Sequence, residues 1–176
     1  MNPVVITVHG IPGPQGSKKA MGTRLTKSGG RTPVLVESSK KVKPWRLNVT
    51  AAAVTAMETG QYQDLVPLRQ GLLDGPLAVS MVFTMREQPT GKPSWWPSEA
   101  PWSRKLLWRP ATMPDLSKLA RSTEDALTGV VWKDDARVVE YVRLAKYYVG
   151  HPAEDVLPDG PGAVIRVWQL AEAVTQ

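Results

Sequence analysis
The chain has 176 residues, room for one domain of ordinary size. Its 42% hydrophobic content excludes a wholly disordered protein. The absence of cysteine excludes a disulfide scaffold, a thiolate zinc site and a cysteine nucleophile. Lys and Arg number 22 against 16 Asp and Glu, and the resulting +6 favours a polyanionic partner without naming one.

That charge is unevenly placed. From Lys18 to Arg46 nine cations face a single acid, Glu37, for a net +8. The remaining 13 cations and 15 acids leave −2, so a near-neutral body carries one basic segment. The first residues have no cationic start and meet a polar side chain too early for a signal peptide. No run approaches the roughly 18 apolar residues that cross a bilayer. The expected setting is cytoplasmic, with no membrane association.

In chain order, Val4 to His9 is short and β-branched and stops at Gly10-Ile11-Pro12-Gly13-Pro14, which predicts a strand and a turn. Residues 15–32 are Gly-, Ser-, Thr- and cation-rich and read as a mobile basic loop, followed by a strand at Pro33–Val36. Trp45, Val49, Ala52 and Ala56 recur at three- and four-residue spacing and predict a helix over about 39–59. Lys40, Lys41 and Lys43 crowd its start, where the helix dipole disfavours cations, as expected if they serve a ligand. Leu77 to Met85 alternates large and small and predicts a half-buried strand.

Residues 86–114 are proline-rich and hold four of the seven tryptophans, Trp95, Trp96, Trp102 and Trp108, which predicts a long loop. Its tryptophans pack on the body or a partner, or stack on bases. A helix over 117–128 follows from Leu116, Leu119, Ala120, Thr123, Ala126, Leu127 and Val130, with Ser117 as N-cap and Gly129 as stop. Strands at Val138–Tyr148 and Ala163–Leu170 complete a single α+β domain over 1–176, with two main helices on a mixed or mostly antiparallel sheet.

Six acids lie between positions 115 and 140: Asp115, Glu124, Asp125, Asp134, Asp135 and Glu140. A helix followed by a tight turn can return its following strand to the helix start. Converging Asp oxygens without Cys or clustered His suit Mg²⁺ or Mn²⁺. An acidic helix cap and an unrelated polar turn would have the same spacing. His9 and His151 lack partners at ligand spacing. The glycines of 10–18 do not fit a phosphate-binding loop.

The run from Pro114 to Val139 (PDLSKLARSTEDALTGVVWKDDARVV) resembles the core motif of RusA-type Holliday junction resolvases. That motif has an Asp-x-Asp-Asn helix start, a Lys one turn on, an Asp-Ala-Leu, a Gly, and an Asp-Asp before a strand. Lys146 falls where the family has a lysine. The resemblance makes Asp115 and Asp135 the first and last metal-binding acids, with Asp134 and Asp125 at further acidic positions. Three positions depart from the pattern. Ser117 replaces the second Asp, Lys118 the Asn, and Arg121 the catalytic Lys.

The resemblance implies a homodimeric, Mg²⁺-dependent endonuclease, phage- or prophage-like, that resolves four-way junctions by paired nicks without a small-molecule cofactor. Asp115, Asp135, Arg121 and Lys118 would be catalytic. Asp115, Asp135, Asp134, Ser117 and Asp125 would supply metal ligands, and Lys18, Lys19, Arg24, Lys40, Lys41, Lys43 and Lys146 would grip branched DNA. The alternative is a RusA-like protein that binds branched DNA with weakened or lost cleavage.

Overall fold
The structure, a computed structural model, describes residues 3–16, 18–27, 29–37, 39–59, 71–86, 88, 90–103 and 109–170. Trp108 lies outside them, as do the side chains of Lys18 and Lys19. The strands are β1 (Val4–His9), β2 (Lys18–Leu25), β3 (Arg31–Glu37), β4 (Leu77–Met85), β5 (Val138–Tyr148) and β6 (Gly162–Gln169). The two α-helices are α1 (Val42–Glu58) and α2 (Leu116–Leu127), and a 3₁₀ turn, Asp135–Arg137, leads into β5.

Four strands form one mixed sheet in the order β1-β6-β4-β5. β6 is antiparallel to β1 and β4, whereas β4 and β5 run parallel, with Met85 opposite Tyr148 at their C-terminal ends. Such a parallel pair needs a long crossover, and the chain between them supplies it with α2. Alternate residues of β1, β4 and β6 (Ile6, Met81, Phe83 and Ile165 among them) meet Trp45, Val49 and Ala53 of α1 and Leu119 and Leu127 of α2 in one core. The predicted α+β class, with two helices on a mixed sheet, is the observed one.

Two expectations change. β4 was expected to be half-buried, but both its faces are covered. Ser80 and Thr84 lie inside with Ala78 and Val82. The N–H of Leu157 donates to Thr84 Oγ1 at 2.9 Å, so the β5–β6 connection crosses the second face. The segment expected as a basic loop is the first strand of a separate two-stranded ribbon, β2 paired antiparallel with β3. Its described positions from 21 to 33 are all exposed. A strand with water on both faces has no apolar alternation to reveal it. The ribbon turn is closed by Thr26 N–H to Gly30 O at 2.7 Å and by Gly29 at φ +79°. Within the expected proline and tryptophan loop, the described residues 90–103 and 109–114 hold no helix or strand.

Candidate functional site
The start of α2 is assembled from four parts of the chain. A cis peptide joins Met113 to Pro114, and Asp115, not Ser117, occupies the N-cap position. Lys146, reaching across from β5, donates from Nζ to the carbonyls of Thr112 at 2.6 Å and Pro114 at 2.7 Å. The Tyr148 hydroxyl, two residues on, bonds the Thr112 side chain. From the other side, Gln15 N–H donates to Lys118 O at 2.9 Å, which ties the segment after β1 to the first turn of α2. That segment also presses on α1. A Cβ at Gly13 would sit 2.3 Å from Lys41 O, so only glycine allows the approach.

Asp115 is exposed and its side chain makes no capping bond. It pairs with Lys118 Nζ at 2.9 Å. The bond and charge of Lys118, helped by the charge of Lys146, hold its carboxyl below the usual Asp range, so it is ionised at neutral pH. Burial lowers the Lys146 ammonium from its ordinary value, and the Asp115 charge opposes that shift. Lys40, Lys41 and Lys43 surround the start of α1 and are exposed. One carboxylate thus stands in a frame of ammonium groups.

A second acidic group lies along α2 toward its C-terminal end. The Asp134 side chain accepts from Ala136 N–H at 2.9 Å. That bond lowers its pKa. The Asp135 charge is felt by Glu124 and by Tyr141, whose hydroxyl donates to Glu124. Burial raises Glu124 above the usual Glu range, and the Asp135 and Asp125 charges add to it. Burial and the Glu124 carboxylate likewise raise the Tyr141 phenol.

The sequence expected the helix start and the Asp134-Asp135 turn to meet. The structure instead places Lys146, near the C-terminal end of β5, at the start of α2, and Asp135 beside Glu124. Nine residues of α-helix separate Asp115 from Glu124, a rise of about 13 Å. Ser117, Arg121 and Glu124 recur at spacings that share one helix face, so Arg121 stands between the two acidic groups. The Arg121 charge is felt by Glu124. Asp125 is engaged elsewhere, in a 2.5 Å ion pair with Arg46 that joins α2 to α1. Arg24 lies exposed on the ribbon. Glu124 and Tyr141 are the pair that sequence reasoning left out of the site. In the sequence Glu124 is one of the six clustered acids without a role of its own, and only the crossover geometry brings Tyr141 to it.

The donor set is all oxygen, as hard divalent cations require. Among the described residues no three acidic or histidine side chains converge as a complete cage. Mg²⁺ asks for less. One or two protein carboxylates suffice when water and substrate phosphate fill the other positions. Asp115 alone, or Asp134 with Asp135, fits that demand, and the Ser117 hydroxyl is a neutral oxygen on the same helix turn as Asp115.

A 55-residue stretch is 34% identical to an uncharacterized protein, YqaN, of Bacillus subtilis (strain 168), covering 31% of this chain. The match spans 38% of that protein's length. The sequence model described as endodeoxyribonuclease RusA matches residues 14–156, from the segment docked on α2 through both helices and the acidic groups to the connection after β5. With most of its length so matched, the chain belongs to the RusA endodeoxyribonuclease family.

Proposed function
We propose that the protein is a Mg²⁺-dependent, homodimeric endonuclease that resolves four-way or other branched DNA by paired nicks. The observation that carries this reading, beside the family, is the ionised Asp115 carboxylate framed by Lys118 and Lys146 at the start of α2. A carboxylate alone would repel a phosphodiester. Set among ammonium groups, it can hold a cation while the lysines draw the DNA strand in.

Bound Mg²⁺ would supply a water of lowered pKa and neutralise charge on the leaving oxygen. Asp115 would hold it, with Ser117 as a neutral ligand, and Asp134 and Asp135 would provide the second acidic position. Lys118 neutralises phosphate charge beside Asp115. Arg121 stabilises the charge that develops on the scissile phosphate. Lys146 acts as a positioning residue by fixing Thr112 and Pro114 ahead of Asp115. Two copies about a two-fold axis suit a junction, because symmetric sites meet symmetric strands. A single domain and a cytoplasmic setting belong to the same reading.

Binding without cleavage is favoured by a specific observation. Lys118 already neutralises Asp115, and Ser117 brings no charge where the family pattern has an acid. A synthetic four-way junction with and without Mg²⁺ separates the two readings. Wild type is expected to nick paired strands, to stop when EDTA removes the metal, and to lose at least about a hundredfold in rate as Asp115→Asn, with junction affinity retained. Asp135→Asn is expected to slow cleavage as well. Junction binding without nicking at any Mg²⁺ or Mn²⁺ concentration would overturn the nuclease reading in favour of the binding protein.

A further inference from the structure
A cleft of about 250 Å³ opens immediately before Asp115, at the C-terminal ends of the parallel strands β4 and β5. Its lining comes from separate elements: Lys41 at the start of α1, Met85 and Arg86 at the end of β4, Met113 and Pro114 before α2, and Tyr148 at the end of β5. We propose that this cleft receives one nucleotide of the DNA strand left unpaired at a branch point, and this rests on the branched-DNA reading above. The phosphate would lie against Lys41 and Arg86, and the base against the wall of Met85, Met113, Pro114 and Tyr148.

The chemistry of the lining selects this occupant. Two cations from different elements line one opening, Arg86 with a further partner of its own, and no acidic side chain is among the described lining residues. An anion is therefore favoured, and the Arg guanidinium adds a fork suited to phosphate oxygens. A site for bare phosphate needs no apolar wall, yet most of this lining is apolar. Methionine, proline and tyrosine surfaces suit the flat face of a base without reading its edge. The volume lies just below the range typical of drug-sized ligands, which admits a nucleotide and excludes a duplex. The wall is also braced. Lys146 holds the carbonyls of Thr112 and Pro114, and the Tyr148 hydroxyl holds the Thr112 side chain. A nucleotide seated here would leave its neighbouring phosphodiester beside Asp115, so the cleft would set which bond of a branched strand is presented.

Thymidine 3′,5′-bisphosphate tests the cleft by itself. Titrated into the intact protein without metal, it is expected to shift the NMR signals of Met85, Met113 and Tyr148. Thymidine and inorganic phosphate are each expected to bind about tenfold more weakly. Lys41→Ala, at an exposed position, should weaken the bisphosphate about fivefold, through loss of a charge-assisted contact. Met113→Trp, which fills the mouth from a position 83% exposed, should abolish the shifts without unfolding the protein. Equal affinity for inorganic phosphate, or unchanged binding in both variants, would overturn the proposal. The junction cleavage assay stands apart from this outcome. Wild type that nicks junctions but ignores the bisphosphate defeats the cleft alone. Wild type that binds the bisphosphate but neither binds nor cuts junctions defeats the branched-DNA reading.

Discussion

Asp115 and Glu124 are carboxylates on one helix with opposite surroundings. Lys118 pulls the first below its ordinary pKa, and burial pushes the second above it. The sign of each in stability follows from linkage. Asp115 adds stability above its unfolded value of 3.8, and that contribution is lost as pH falls through its lowered folded value. Glu124 binds its proton more readily folded than unfolded. It therefore costs stability at neutral pH, and the cost disappears as pH falls below its unfolded value of 4.5. Glu124→Gln keeps an oxygen that accepts from the Tyr141 hydroxyl and removes the charge crowded by Asp135 and Asp125. Thermal melts of this variant should lie above wild type at pH 7, with the gain shrinking to nothing near pH 4. A gain independent of pH would show that charge is not the cause.

At the scale of elements, α1 and α2 are locked by contacts that no periodicity announces. The buried Trp45 Nε1 donates to Thr123 Oγ1 at 3.0 Å, and that hydroxyl donates in turn to Leu119 O at 2.9 Å. Thr50 Oγ1 donates to Ala126 O at 3.1 Å, one turn further along the same contact. Thr123→Val keeps the shape and leaves the indole N–H without an acceptor, which costs about 1–3 kcal/mol. In urea the midpoint should fall while the slope is unchanged, and an unchanged midpoint would show that the indole finds another acceptor. Both helices, β1, β4 and β6 were legible because each buries apolar residues that leave a period in the sequence, and β5 was legible from its alternation although most of it is not buried. β3 was legible at Pro33–Val36, but its partner β2 was not, since the described positions of β2 are exposed and carry no apolar alternation. The acids of α2 were legible as residues but not as a group. Whether Asp135 meets Asp115 or Glu124 depends on how far β5 runs back along α2, a tertiary distance that spacing does not contain.

For the whole molecule, the decisive quantity is where charge sits relative to the acidic groups. The segment after β1 docks on both helix starts through Gly13 and Gln15, so the β2–β3 ribbon springs from the end of the molecule that carries Asp115. Arg24, Lys27 and Arg31 stand on that ribbon, all exposed, with Met21 and Leu25 also in water. Two-stranded ribbons fit a DNA groove, and cations on them meet phosphates along its walls. Each phosphate neutralised contributes about 0.9 to the slope of log affinity against log salt. Changing Arg24, Lys27 and Arg31 together to Ala should therefore flatten the slope for a four-way junction by up to nearly 3. Affinity at low salt should fall steeply, while the thermal midpoint stays near wild type because none of the three is buried. The same slope measured for wild type and the triple variant at two salt ranges decides the matter. An unchanged slope would place the ribbon away from DNA and leave the grip to the cations around the starts of α1 and α2.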